Sequence, residues 1–253
     1  MDHRFGSGGN LLASHLARPP VRADVTQVPA VVIAHGYPSD VHSAAQAATA
    51  LPELADRIAA EMGWLALVVG FRGCSGSEGS FSLGGWLADL DAAVAHLHST
   101  EAVSGVWLAG FGTGGALAIC AAAEDPDIEG VAALGAPADF DDWASHPRRL
   151  LEHARDVGMI EDPLFPPSVE AWSRELRELR AVAHAPKLAP RPLLVIHGSD
   201  DDLVPAFDAR VLVDAHGSAE LRIVSGAGHR LRHDPRAVAV LLGWLDRQRN
   251  RRP

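Results

Sequence analysis

The sequence predicts an α/β domain: a mostly parallel central sheet led by an N-terminal β-hairpin, helices on both faces, and a helical cap inserted late in the chain. Three observations predict it. Short apolar runs of strand length recur, helix-length segments separate them, and the strand ends meet loops rich in Gly, Ser or Asp. With 253 residues, 47% of them apolar and 21% charged, the chain is long enough for one large core and reads as a single domain over 1–253.

The segments HRF and LLASHLARP flank the turn-rich stretch from Gly6 to Asn10, which predicts the hairpin. Strands of the parallel part are expected at Val31 to His35, Leu65 to Phe71, Val106 to Ala109, Val131 to Leu134, Leu193 to His197 and Leu221 to Val224. Helices are expected at Ser43 to Glu61, Leu83 to His98, Thr113 to Ala123, Ala206 to Ala215 and Pro235 to Arg247. Between Pro137 and Pro190 the rhythm breaks into charged helical sequence interrupted by Pro147, Pro163, Pro166 and Pro167. This stretch, 137–190, is the expected cap, which leaves 1–136 and 191–253 as the core. Insertions at the carboxyl ends of parallel strands are where such sheets bind ligands.

Composition excludes several classes of function. A net charge of −10 disfavours nucleic acid and anionic membrane surfaces, because binding either relies on an excess of Lys and Arg. Cys74 and Cys120 are too few for a disulfide framework, and no Cys/His spacing matches a zinc site, so neither a metal nor an organic cofactor is expected. The N-terminus lacks the pattern of a secretory signal, and no apolar run approaches the ~20 residues of a membrane span. A reduced, cytoplasmic setting is the expectation. Lys187 is the single lysine among many arginines and alanines, which reads as GC-rich bacterial codon usage.

The chemistry lies in the turns. VWLAGFGTGGALAICAAA reads as a strand, a tight turn carrying Gly110, Gly112, Gly114 and Gly115, and a helix, the setting that a hydrolase nucleophile elbow requires. A serine ordinarily sits at the centre of that elbow; here the residue is Gly112. In AHGYPSD, after the third strand, a His-Gly turn offers the backbone N–H of Tyr37 as half of an oxyanion hole, with Thr113 supplying the other half. FRGCSGSEGSF is a glycine-rich loop after the fourth strand. LLVIHGSDDDLVP then ends a strand in Asp200, Asp201 and Asp202, any of which could orient a histidine, and GAGHRL follows the last strand with His229.

On these motifs and their order of elbow, acid and histidine, the whole chain resembles an α/β-hydrolase of the serine aminopeptidase and monoglyceride-lipase-like branch. The family's pattern His-Gly-x-x-Asp-x-x-Val-Pro maps onto His197, Gly198, Asp201, Val204 and Pro205, so the resemblance implies that Asp201 is the acid and His229 the base. The nucleophile maps to Gly112, and there the sequence departs from the family. His35 and His197 precede glycines at strand ends, where the resemblance implies structural roles. Cys74 and Cys120 read as small buried apolar residues. Thr113, Ser75 and Ser77 are the other hydroxyls near the expected site, with the Thr113 side chain expected to point away from the base.

Without an Oγ at position 112 no acyl-enzyme can form there. Three readings follow: a water activated by His229 and oriented by Asp201, giving one-step general-base hydrolysis; lyase-type or proton-transfer chemistry without a covalent intermediate; or a pseudoenzyme that binds a small ligand or a protein. The first, acting on a small carboxylic ester or acyl compound, is the reading favoured here. Phe140, Trp143, Phe165 and Trp172 in the cap suit an apolar acyl or aryl ligand.

Overall fold

The computed structural model describes residues 1–20, 26–38 and 41–250, with backbone only for 41–43. Its sheet has eight strands: β1 (His3–Ser7), β2 (Asn10–Ala17), β3 (Val28–Ala34), β4 (Leu65–Val69), β5 (Val103–Phe111), β6 (Ile128–Leu134), β7 (Leu193–Gly198) and β8 (Glu220–Val224). They lie in the order β1-β2-β4-β3-β5-β6-β7-β8. β1 and β2 form the expected hairpin, and Gly8 and Gly9 turn it with φ of 55° and 88°, the left-handed backbone that a two-residue hairpin loop demands. β2 runs antiparallel to β4, and every pair from β4 to β8 is parallel.

The central strands read as unbroken apolar runs because both of their faces are covered. Ala30, Val32 and Ala34 point to one core, which holds Trp86 and Leu90 of α3 (Leu83–Thr100), most of α4 (Thr113–Glu124), and Ala209 and Leu212 of α9 (Ala206–His216). Val31 and Ile33 point to the other, where Trp64, Trp107 and Trp244 gather beneath α10 (Pro235–Arg249). The two-residue period of a strand thus sorts neighbouring side chains into opposite layers.

The segment expected as one helix from Ser43 to Glu61 is broken. It forms α1 (Val41–Gln46), a turn, α2 (Pro52–Arg57) and a π-helical turn (Ile58–Met62) that ends at Gly63 with φ 71°. Pro52 explains the break: its ring removes an N–H and suits the first turn of a new helix rather than the interior of a long one.

Between β6 and β7 come α5 (Asp141–Ser145), α6 (Pro147–Asp156), α7 (Val169–Glu178) and α8 (Ala181–Leu188). Trp172 of α7 donates from Nε1 to the Phe81 carbonyl, and Glu175 accepts from the Gly84 N–H, which ties this excursion to the start of α3. α8 returns to the helix layer against α4 and α9, so the segment rejoins the core before Pro190.

Candidate active site

The loops that follow β3, β5, β6, β7 and β8 meet at the carboxyl edge of the sheet, and the site is assembled from them. Between β5 and α4 the chain turns at Gly112, whose φ of 53° and ψ of −125° lie outside the regions open to ordinary residues. Its N–H donates to the Leu134 carbonyl at 2.8 Å, and its own carbonyl accepts from Gly115 at 2.9 Å. Strand, helix and the loop after β3 approach so closely that a side chain on Gly110 would strike the backbone of Gly114, and one on Gly114 the carbonyl of His35.

His229 Nε2 faces this turn. A Cβ placed on Gly112 would lie 3.3 Å from Nε2 and 3.6 Å from the Gly36 Cα, with no backbone in the way. On its other side, His229 donates from Nδ1 to Asp201 Oδ2 at 2.9 Å. The structure therefore brings together Gly112, His229 and Asp201, which are far apart in sequence.

Of the three consecutive acids, Asp200 is exposed and accepts from the Ser199 hydroxyl, and Asp202 is exposed. The Asp201 side chain is fully enclosed: Oδ1 accepts from the N–H groups of Leu203 and Val204 at 3.0 and 2.9 Å. Burial pushes its carboxyl up, but hydrogen bonds from His197, His229 and the Val204 N–H outweigh burial and hold it well below the usual carboxylate range. An ionised Asp201 keeps the proton of His229 on Nδ1 and leaves Nε2 free to accept one. The loops carrying the pair are pinned together, Ser199 N–H donating to Val224 and Asp200 N–H to Ala227.

The backbone N–H groups of Tyr37 and Thr113 have no acceptor among the described residues, and both residues line a cavity of about 830 Å³ together with Gly112 and His229. Phe140 and Trp143 stack at 5.2 Å on one wall of this cavity, and Tyr37 packs on Trp143 at 4.8 Å. The other two aromatics named between Pro137 and Pro190 have structural positions: Trp172 is buried against Phe81, and Phe165 packs on the core.

Other polar candidates are engaged elsewhere. Ser75 Oγ accepts from the Ala48 N–H; Ser77 Oγ donates to Gly70 and accepts from Ala13. Cys74 and Cys120 are buried, which pushes both thiols up, Cys120 to about 12. His35 is pushed down to about 4 by burial; its Nε2 accepts from the Phe71 N–H, so Nδ1 donates to the Gly36 carbonyl.

Sequence reasoning missed three neighbours of the pair. His197, read there as structural only, directs Nε2 at the Val204 carbonyl at 2.9 Å and at Asp201 Oδ2 at 3.3 Å. Burial lowers this imidazole, and the Asp201 carboxylate and Val204 carbonyl more than offset that, for a net upward shift. Gly135, with φ 61°, lies under His229: a Cβ there would be 3.5 Å from Nδ1 and 3.6 Å from Asp201 Oδ2. Its place just after a strand was the available signal. His153 Nδ1 of α6 shares a hydrogen bond with the Tyr37 hydroxyl at 3.0 Å, and nothing in its local sequence marks it.

Residues 8–171, more than half of the chain, match the X-Pro dipeptidyl-peptidase (S15) family. The chain belongs to that family. The matched span of this S15 chain includes Tyr37, Gly112, Thr113 and His153 and ends before Asp201 and His229. No curated protein matches the S15 chain significantly. Solved structures of α/β hydrolases share its fold. Est1E from Butyrivibrio proteoclasticus with ferulic acid bound is 21% identical over 99% of this chain and 100% of its own, with a TM-score of 0.72. The α/β hydrolase GrgF from Penicillium sp. sh18 is 17% identical over 98% of this chain and 97% of its own, with a TM-score of 0.73. The esterase domain of a Rhodothermus marinus protein is 22% identical over 97% of each chain, with a TM-score of 0.68. Among the described residues of the S15 chain, no three His, Cys, Asp or Glu are grouped to hold a metal ion, and no helix is long and apolar enough to cross a membrane.

Proposed function

We propose that this chain hydrolyses a small carboxylic ester or acyl compound without a covalent intermediate, using a water held by His229 beside Gly112. The supporting observation is that His229 Nε2 faces the Gly112 Cβ position at 3.3 Å while Asp201 holds Nδ1. A water there gives a proton to Nε2 as its oxygen attacks the acyl carbon. General-base assistance of this kind contributes about 10²–10⁴-fold. The N–H groups of Tyr37 and Thr113, which have no acceptor among the described residues, bind the oxyanion. The helices after β6 cap the site.

The aromatic wall of Tyr37, Phe140 and Trp143 suits an aryl acyl group, and Est1E has been solved with ferulic acid, an aryl acid, bound to it. The test is steady turnover of aryl-acyl esters by the unmodified protein beside His229→Ala. Turnover should vanish in the variant, and a fluorophosphonate should label neither protein. Turnover indifferent to the change would sink the reading by pointing to another group, and an unmodified protein inert toward these esters would favour a binding role.

A further inference from the structure

The reading above leaves one titratable pair in the cavity unused. Tyr37 Oη and His153 Nδ1 lie 3.0 Å apart, and both residues line the cavity that holds Gly112 and His229. They come from the loop after β3 and from α6, so only the folded chain pairs them. Three rings clamp the phenol: Trp143 at 4.8 Å, Phe81 at 5.3 Å and Trp86 at 6.4 Å. Burial pushes the Tyr37 hydroxyl well above its ordinary range, so it stays protonated at neutral pH.

One-step hydrolysis takes a proton from the attacking water and returns one to the departing alcohol oxygen. His229 faces Gly112, where the water enters, so the proton it accepts lies on the attacking side. The alcohol oxygen departs from another side of the acyl carbon. An unactivated alkoxide is too basic to leave without a donor of its own.

We propose that Tyr37 protonates the departing alcohol oxygen and that His153 restores its proton, which fits the site to esters of unactivated alcohols. This rests on the hydrolytic reading. As the acyl C–O bond breaks, the leaving oxygen keeps the electron pair and takes the Tyr37 hydroxyl proton. The phenol oxygen takes the Nδ1 proton of a protonated His153. The attacking water has meanwhile given one proton to His229 Nε2. Release of that proton to solvent and uptake of one by His153 reset the site, so the sum is ester plus water to acid plus alcohol. Tyr37 is the catalytic residue of the pair; His153 acts through it as a positioning residue and proton source.

Two esters of one aryl acid test this, an ethyl ester and a p-nitrophenyl ester, because p-nitrophenolate leaves without a proton. Tyr37→Phe and His153→Gln should each lower the ratio of the ethyl-ester kcat to the p-nitrophenyl-ester kcat, Tyr37→Phe by about 10²-fold or more. A merely structural pair would affect both esters alike, so equal losses, or no loss on either, would overturn the proposal while the His229 reading stands. Inertness of the unmodified protein toward both esters would overturn that reading and this proposal together. If one variant fails to fold, the other reads the same split. Independently of turnover, the ¹⁵N resonance of His153 Nδ1 at fixed neutral pH should move in Tyr37→Phe; an unmoved resonance would remove the proton route.

Discussion

Gly112→Ser sets backbone strain against restored chemistry. At φ 53° and ψ −125° a residue with a side chain is strained by about 1–3 kcal/mol. The new Cβ meets His229 Nε2 at 3.3 Å, a fit that a shift of a few tenths of an ångström accommodates. A chain of this length loses about 2–4 °C per kcal/mol, so Tm should fall by about 2–12 °C with the fold retained. Against this, loss of the serine from one complete protease triad costs about 10⁶ in kcat, and a 1 Å misplacement costs on the order of 10². A serine seated within that error should therefore raise turnover of an activated ester by roughly 10³-fold or more. Stopped-flow kinetics with p-nitrophenyl esters should show a burst stoichiometric with enzyme, and a fluorophosphonate should label the variant alone. A variant that melts within the stated range yet shows neither burst nor label would refute the alignment of base, acid and N–H donors.

Further predictions concern the supports of the site. Asp201→Asn should cost activity about 10²–10⁴-fold, because the amide no longer fixes the His229 proton on Nδ1. The depressed Asp201 carboxyl stabilises the fold above the unfolded value of ~3.9, and that contribution is lost as pH falls through the folded value; urea titrations should show the wild-type advantage over Asp201→Asn shrinking below pH ~3.9, and an advantage that grows there would contradict it. Gly114→Ala drives a methyl into the His35 carbonyl and should lose about 3 kcal/mol or more in urea unfolding, or fail to fold; a loss under 1 kcal/mol would show that the turn can open. Asp89 is fully buried and accepts from the Arg72 side chain and N–H and from Ser7 Oγ. Asp89→Ala should therefore cost about 3–5 kcal/mol by leaving Arg72 uncompensated, and a neutral result by chemical denaturation would contradict that.

The strand positions were legible because both faces of the parallel sheet are covered, which writes each inner strand as an apolar run such as Val31 to Ala34. The break at Pro52 was missed because the apolar period continues across it, while the missing N–H acts only on the backbone. The return of α8 to the core layer was equally hidden, since Ala181, Ala185 and Leu188 have the same spacing on a cap helix as on a core helix.

The sequence alone determined the tight glycine turn between β5 and α4. The spacing of Gly110, Gly112, Gly114 and Gly115 between an apolar strand and an apolar helix is a local property, and no distant contact is needed to read it. Chain order likewise placed an acid loop and a histidine loop after it. Which of three adjacent acids meets His229, and that His197 also leans on Asp201, was decided only by the tertiary structure. So was the pairing of Tyr37 with His153, residues 116 positions apart that α6 brings to one wall. The reason is physical: a backbone conformation is set by a few neighbouring residues, whereas a hydrogen bond between loops depends on the strand register and helix packing that carry both partners to one place.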